Sequence, residues 1–151
     1  MNFLAHAYLS FKDPNLIVGN IIADMIKGKK IETLPYEIQQ GIHLHRQIDT
    51  FTDRHPVVKE AKSLFEESAG RYAALFLDIS FDHFLARSTK YEPSSGWENF
   101  ANHCYDALEQ NSSVLPSQFI SMFMYMKSEN WLLNYRHKWL MKKSFERVLN
   151  R

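Results

Sequence analysis

The side chains best suited to chemistry are the imidazole and carboxylate groups between His43 and Asp53. Successive residues of an α-helix are rotated by about 100°. His45 and Asp49 therefore project within about 40° of each other, as do Asp49 and Asp53, while His43 points elsewhere and suits proton transfer. Imidazole and carboxylate together suit a divalent cation such as Mn²⁺, Fe²⁺, Mg²⁺ or Zn²⁺. The segment predicts one wall of a metal site; the alternative is an exposed helix face with a His–Asp hydrogen bond.

Three further segments place polar side chains in apolar surroundings. Asp78, Asp82 and His83 interrupt a strongly apolar stretch, Asp24 follows a run of aliphatic residues, and His6 lies among apolar neighbours. Buried carboxylates are costly without partners, and a metal ion is one such partner. Each residue taken alone is more often a core polar residue with satisfied hydrogen bonds, or a surface group, than a metal ligand. Together they match the way in which helical bundles assemble internal metal sites from several helices.

Proline, glycine and capping residues divide the chain into the helices that must position these groups. Asp13 and Pro14 predict the start of a helix that runs to Lys27 and holds Asn20 and Asp24 one turn apart. The other helices are predicted at residues 1–10, 35–54, 56–65, 72–87, 97–110, 116–127 and 131–150, the last with a break near His137.

The composition favours one all-α domain. The 151 residues are 45% hydrophobic and contain only 5 Gly and 5 Pro, so a single helical bundle spanning residues 1–151 is expected. Cys104 is the only cysteine, which rules out an internal disulfide and favours a cytoplasmic protein. The N-terminus lacks the pattern of a signal peptide, and no segment has the ~20 apolar residues that a transmembrane helix needs, so no membrane association is expected.

The charge is unevenly distributed along the chain. The last 21 residues carry six Lys and Arg against one Glu, a charge of +5, and the net charge of +1 leaves −4 for the rest. This basic tail predicts a surface for an acidic partner, with a solvated helix face as the alternative. A nearly neutral chain argues against nucleic-acid binding. Gly-rich phosphate loops, zinc-type cysteine pairs, nucleophile elbows and His-Glu-x-x-His motifs are absent.

Five ordered blocks of the sequence resemble the acyl carrier protein phosphodiesterases, also called acyl carrier protein hydrolases. The resemblance covers most of the chain, although the blocks lack the adjacent His-Asp pair of the wider HD phosphohydrolases. The blocks are Met1-Asn2-Phe3-Leu4-Ala5-His6, Gly19-Asn20-x-x-Ala23-Asp24 with Lys27-Gly28, Gly41-Ile42-His43-x-His45-Arg46-x-Ile48-Asp49 with Thr52-Asp53, Asp78-x-x-x-Asp82-His83-Phe84-Leu85-x-Arg87, and Trp131-Leu132-x-x-Tyr135-Arg136.

This resemblance implies an all-α, HD-domain-like fold and a divalent cation, Mn²⁺ above all. The implied reaction cleaves the phosphodiester between 4′-phosphopantetheine and a serine of acyl carrier protein, an acidic protein. We assign candidate roles by combining the resemblance with the spacing of the residues. The candidate metal ligands are His6, Asp24, His45, Asp49 and Asp82; the candidate catalytic residues are His43, Asp78 and His83; the candidate substrate-binding residues are Arg46, Arg136 and Lys138.

Two alternatives to this function stay open. One keeps the reaction and changes the substrate to a nucleotide or another small phosphodiester. The other is a catalytically inactive module that binds the carrier protein, because the chain is expected to be short at its C-terminus relative to the family.

Overall fold

The helix boundaries closely follow the proline, glycine and capping residues of the sequence. The structure is a computed structural model and describes residues 2–150. Asp13 accepts hydrogen bonds from the backbone N–H groups of Asn15 and Leu16, with Pro14 as the first helical residue. The described α-helices are α1 (Phe3–Tyr8), α2 (Pro14–Ile22), α3 (Tyr36–Arg54), α4 (Pro56–Ser63), α5 (Glu66–Ala69), α6 (Ala73–Arg87), α7 (Gly96–Gln110), α8 (Ser117–Ser128), α9 (Trp131–Asn134) and α10 (Lys138–Leu149).

The prediction of an all-α bundle is confirmed, and one boundary was wrong. The second helix was expected to reach Lys27, but α2 ends at Ile22 and the next residues, Ala23–Met25, form a 3-10 turn. Asp24 therefore lies beyond the end of the helix that carries Asn20. The break predicted near His137 is confirmed, since this residue separates α9 from α10. Short 3-10 segments also occur at Gly28–Thr33, Gly70–Tyr72 and Ser112–Val114.

Helices α2 and α3 cross with their backbones almost in contact. A Cβ atom on Gly41 would lie 2.6 Å from the Leu16 carbonyl oxygen and 2.8 Å from the Gly19 Cα, and a Cβ on Gly19 would lie 2.1 Å from the Ile38 carbonyl oxygen. Glycine at both positions is therefore required by the close approach. The crossing brings the end of α2 next to the middle of α3, where the metal-ligating side chains were predicted.

The main core surrounds this crossing. Helices α1 and α7 pack against α2, and α6 packs against α1 on one side and α10 on another. A second apolar cluster joins α6 to α10 through Phe76, whose ring stacks on Phe145 at a centroid distance of 4.2 Å. Helices α1, α3 and α6 hold all the predicted metal ligands except Asp24. None of the helices in the described range combines the length and apolar character needed to cross a bilayer.

Candidate metal centre

His6 of α1 meets His45 and Asp49 of α3 at the interface between these helices. One ligand atom from each of the three side chains lies within 4.8 Å of the others. The His6 Nε2 is 3.2 Å from Asp49 Oδ1, and the His45 Nε2 is 3.1 Å from Asp49 Oδ2. The two imidazole rings stack at a centroid distance of 3.9 Å and an angle of 13°. We call these three residues the triad.

The ring orientation of His45 is set by the end of α2. The carbonyl oxygen of Asn20 lies in the last turn of α2, where carbonyl groups lack partners within the helix, and it is 2.8 Å from His45 Nδ1. The Nδ1–H donates to this oxygen, so the Nε2 lone pair of the neutral ring is directed at the other triad members. A hydrogen bond of this kind fixes the tautomer of metal-binding histidines in general.

His6 is positioned by two sets of buried hydrogen bonds. The side chain of Asn20 donates to the His6 carbonyl oxygen at 3.0 Å and to Ser10 Oγ at 3.0 Å, and Ser10 Oγ also donates to the His6 carbonyl at 2.8 Å. At the start of α1, the two carboxylate oxygens of Asp82 accept from the backbone N–H groups of Leu4 and Ala5 at 2.9 and 2.8 Å. Asn20 thus contacts both the His6 and the His45 side of the triad.

The buried nitrogen atoms of the triad fit a cation better than they fit one another. His6 Nδ1 and Nε2 and His45 Nε2 are buried without a hydrogen-bond partner of suitable geometry, although carboxylate oxygens lie within 3.2 Å of both Nε2 atoms. Unpartnered buried polar atoms are costly. A divalent cation would accept the lone pair of one nitrogen from each imidazole together with the Asp49 carboxylate, and neutral imidazole with carboxylate is a common ligand set.

The pKa values of the triad residues reflect their burial and their close contacts with one another. Burial lowers the pKa of His6. Burial acts in the same direction on His45, but the nearby carboxylates of Asp24 and Asp49 outweigh it and raise its pKa to about 9. Burial alone would raise the pKa of Asp49, yet the two imidazoles hold it well below its usual range. Without a cation, His45 therefore carries a proton that compensates the Asp49 charge.

Asp24 stands at the solvent-facing rim of the triad. Its Oδ1 lies 3.2 Å from His45 Nε2, and its side chain is 85% exposed. The contact with His45 lowers the pKa of the Asp24 carboxyl, so this group is ionised near neutrality. Although Asp24 lies outside α2, the 3-10 turn brings it to the side of His45 that solvent reaches. It is placed to approach a cation from the open side.

The predicted residues of α6 occupy different positions. Asp82 is fully buried and is not a member of the triad, since both of its oxygens bind the first turn of α1. Burial raises its pKa to about 7 against the opposing effect of these backbone bonds. His83 is also buried: its Nδ1 is 2.7 Å from the Tyr135 carbonyl oxygen and its Nε2 is 3.3 Å from Arg87. Both therefore make contacts that hold α6 to its neighbours.

Asp78 is the α6 residue with an electrostatic link to the triad. Its side chain is half-buried, and burial raises its pKa, with the negative charges of Asp49 and Asp53 acting in the same direction. A carboxyl group with a raised pKa next to ionised carboxylates holds its proton more tightly than an ordinary aspartate. Asp53 itself is exposed one turn beyond Asp49.

His43 and Arg46 lie on another face of α3, away from the triad. Both are exposed and line a groove of about 920 Å³ that also includes Phe51, Arg54 and His55. We call it the α3 groove. The two other predicted substrate-binding residues are further along the chain: Arg136 lines a separate cleft of about 310 Å³ and donates to the Leu133 carbonyl, and Lys138 is exposed at the start of α10.

The whole chain matches the family model described as acyl carrier protein phosphodiesterase, over residues 1–151. The chain belongs to this family. It is 39% identical over 140 residues to the acyl carrier protein phosphodiesterases of Escherichia coli O139:H28 (strain E24377A / ETEC), E. coli O9:H4 (strain HS) and E. coli (strain K12 / DH10B), which covers 90% of this chain and 71% of each relative. No solved structure matches it. The relation to HD phosphohydrolases stays a prediction.

Two residues that contribute to the site were not predicted from the sequence. Asn20 and Ser10 carry the hydrogen bonds that support His6, and Asn20 also orients His45. The only signal in the sequence was an amide next to Gly19 in an aliphatic helix, because a buried amide needs partners. The contact of Gly19 with Gly41 sets the distance between α2 and α3. It could not be predicted, because residue spacing within one helix does not reveal contacts between helices.

Proposed function

We propose that this chain hydrolyses the phosphodiester of holo acyl carrier protein, releasing apo carrier protein and 4′-phosphopantetheine. The observation that carries the proposal is the convergence of His6, His45 and Asp49 on one point in a chain of the acyl carrier protein phosphodiesterase family. A cytoplasmic location belongs to the same proposal, since the buried free thiol of Cys104 needs no oxidising environment.

The triad would hold one divalent cation, with Asp24 able to contribute from the open side. The chemistry supplied by such an ion is activation of a water molecule and stabilisation of the charge that develops on the phosphoryl oxygens. We propose Mn²⁺, which the family resemblance implies and which a mixed nitrogen and oxygen ligand set can hold. The ordered environment of His45 and His6 favours binding, since little rearrangement is needed when the ligands are already oriented.

The protein's own groups then account for the movement of protons. Water attacks phosphorus, the bond between phosphorus and the serine oxygen breaks, and that oxygen needs one proton to leave as the serine hydroxyl. Asp78 is our candidate donor, because it is half-buried, its charge interacts with that of Asp49, and burial raises the pKa of its carboxyl. The acid role predicted for His43 and His83 is less well supported: His43 lies on the groove face, and both ring nitrogens of His83 already have partners.

The decisive experiment measures the mass of the carrier protein. Purified protein is incubated with holo acyl carrier protein and Mn²⁺, and intact-mass analysis follows conversion to the apo form. We expect conversion with Mn²⁺, none with excess chelator, and a decrease of more than about 100-fold in the His6→Ala and Asp49→Ala variants. The matched control is His103→Ala, which removes an exposed imidazole of α7.

Each alternative predicts a different result in the same assay. Faster turnover of a generic diester or a nucleotide than of holo carrier protein would favour the small-substrate alternative. Tight binding of the carrier protein without conversion, across several divalent metals, would contradict the proposal and favour an inactive binding module. A loss of activity in His6→Ala together with a loss of helical circular dichroism would not count as support, so each variant's folding is measured first.

A further inference from the structure

An apolar groove runs along the surface between α1 and α6. It has a volume of about 500 Å³, and its walls include Ala5 of α1, Leu9 just after this helix, and Phe81, Phe84 and Leu85 of α6. We call it the α1/α6 groove. None of the described Asp, Glu, Lys or Arg side chains lines it, and Phe84 is 67% exposed. Contiguous exposed apolar surface commonly marks a binding site, and sites for small molecules are mostly apolar hollows of about 300–1,000 Å³.

The α6 wall of this groove continues the helix face that carries Asp78. Phe81 lies about 60° around α6 from Asp78, and Leu85 lies about 20° from it. Phe81 also lines a second hollow at the end of α3, together with Thr52. Thr52 follows Asp49 by three positions and lies within about 60° of it on α3. Phe81 therefore lies between the groove and the flank of α3 that borders Asp49 of the triad.

The α1 wall of the groove adjoins His6 of the triad. Leu9 follows His6 by three positions, which places the two side chains about 60° apart around the helix, with Cβ atoms about 5–6 Å apart. His6 is buried toward α3, whereas Leu9 is partly exposed in the groove. Both walls of the groove therefore begin next to side chains of the proposed site, at His6 on α1 and at Asp78 on α6.

The length and chemistry of the groove match the pantetheine arm of the proposed substrate. Ser88 lines the groove ten positions after Asp78, which corresponds to about 15 Å along the α6 axis. An extended 4′-phosphopantetheine spans about 16 Å from phosphorus to sulfur. Between these ends the arm is uncharged and carries methyl, hydroxyl and amide groups. The groove offers apolar walls for the methyl groups, and Tyr8, Ser88 and Tyr91 bring hydroxyl groups that can bind the amides.

We propose that the α1/α6 groove binds the pantetheine arm of the substrate, an inference that rests on the proposed function. With the phosphodiester at the triad, the arm would pack against Phe81, Leu85 and Phe84 and extend toward Ser88. The carrier protein is joined to the other side of the phosphate and stays outside the groove, whose uncharged walls offer nothing to an acidic surface. The groove thus makes the arm, and not the phosphodiester alone, a determinant of specificity.

Removal of one aromatic ring from the groove tests this assignment. We expect Phe84→Ser to raise the KM for holo carrier protein by about tenfold, because the arm loses an apolar contact. Turnover of bis(p-nitrophenyl) phosphate, a diester without the arm, should be unchanged in the same variant. The matched control is Met124→Ser on α8, which removes an apolar side chain of similar exposure, 70%, outside the groove and should alter the KM by less than about twofold.

Binding of pantetheine separates this inference from the proposed function. Pantetheine carries the arm without a phosphate, so NMR titration reports on the groove even if the wild-type protein fails to convert holo carrier protein. Pantetheine should shift the amide resonances of Leu85 and Ser88, with an affinity about tenfold lower in Phe84→Ser and unchanged in Met124→Ser. Absence of binding to the wild type, or equal affinity in Phe84→Ser, overturns the inference. So does tighter binding of adenosine at the same resonances, or a dimer that excludes pantetheine and dissociates in Phe84→Ser.

Discussion

Replacement of Gly41 by alanine tests whether the contact between α2 and α3 sets the geometry of the metal centre. Alanine improves intrinsic helix propensity by about 1 kcal/mol. Its Cβ, however, would lie 2.6 Å from the Leu16 carbonyl oxygen and 2.8 Å from the Gly19 Cα. Both neighbours are backbone atoms, so no side-chain rotation relieves the overlap and the helices must move apart by about 0.6–0.8 Å to reach ordinary contact.

The two effects have opposite signs, and the overlap should dominate. Overpacking a well-packed interface costs about 1–3 kcal/mol, and more where backbone must shift. We therefore expect the free energy of unfolding to fall by about 1–2 kcal/mol in Gly41→Ala. The same displacement lengthens the 2.8 Å contact between His45 Nδ1 and the Asn20 carbonyl oxygen, which is already near the optimal distance. Loss of such a supporting bond typically lowers metal affinity about 10–100-fold.

Urea denaturation and calorimetric titration with Mn²⁺ measure the two consequences separately. Thr50→Ala is the matched control, because it adds alanine at an exposed position of α3 and should change stability by only a few tenths of a kcal/mol in the favourable direction. If Gly41→Ala is as stable as Thr50→Ala and binds Mn²⁺ with wild-type affinity, the crossing does not control the triad and the reasoning is refuted.

Further predictions concern three buried residues: Asn20, Asp82 and Cys104. Asn20→Ala removes the side-chain hydrogen bonds to the His6 carbonyl and Ser10, so stability should fall by about 2 kcal/mol and Mn²⁺ affinity at least about tenfold, whereas an unchanged affinity would contradict its positioning role. Asp82→Asn should cost about 2–4 kcal/mol in urea denaturation, because its amide can accept from only one of the two backbone donors. Because the folded-state pKa of Asp82 is raised to about 7, the stability that Asp82 contributes should decrease as pH rises from about 4 to about 7, so the difference in stability between wild type and Asp82→Asn should shrink over this range. Burial raises the pKa of the Cys104 thiol to about 12, so a thiol-specific reagent should label it only after unfolding, and rapid labelling at pH 8 of the folded protein would contradict its burial.

The bounds of α3 show how much of the fold local sequence could predict. Pro35 precedes its first residue and Pro56 follows its end, and proline disfavours helical geometry in the residue before it. Within these limits, the spacing of His45 and Asp49 was enough to place both on one face. The end of α2 could not be predicted in this way, because the aliphatic pattern continues past Ile22 to Ile26. At this end of α2, the Asn20 carbonyl oxygen lies 2.8 Å from His45 Nδ1 of α3.

Asp82 illustrates the limit for the candidate site. An aspartate in an apolar helix indicates a buried partner, but the sequence does not distinguish a cation from the backbone N–H groups of another helix. The structure provides the latter, at the first turn of α1. The surroundings of His43 and Arg46 could not be predicted either. Helical spacing placed His43 on a different face from His45 and Asp49, but it could not show that His43 and Arg46 would line a groove.

The sequence by itself determined the helical class, the family and the pairing of His45 with Asp49, because each depends on residue types and local spacing. Tertiary structure alone decided that His6 is the third member of the triad, since its partners lie about 40 residues away and meet it only when α1 packs beside α3. It also decided which basic groups lie near carboxylates: Lys142, Lys143 and Arg147 lie within 4 Å of Glu146 or Glu129, while no ion pair involves Arg46 or Arg54 in the described part of the chain. Charge pairing depends on distances in space, which composition does not contain.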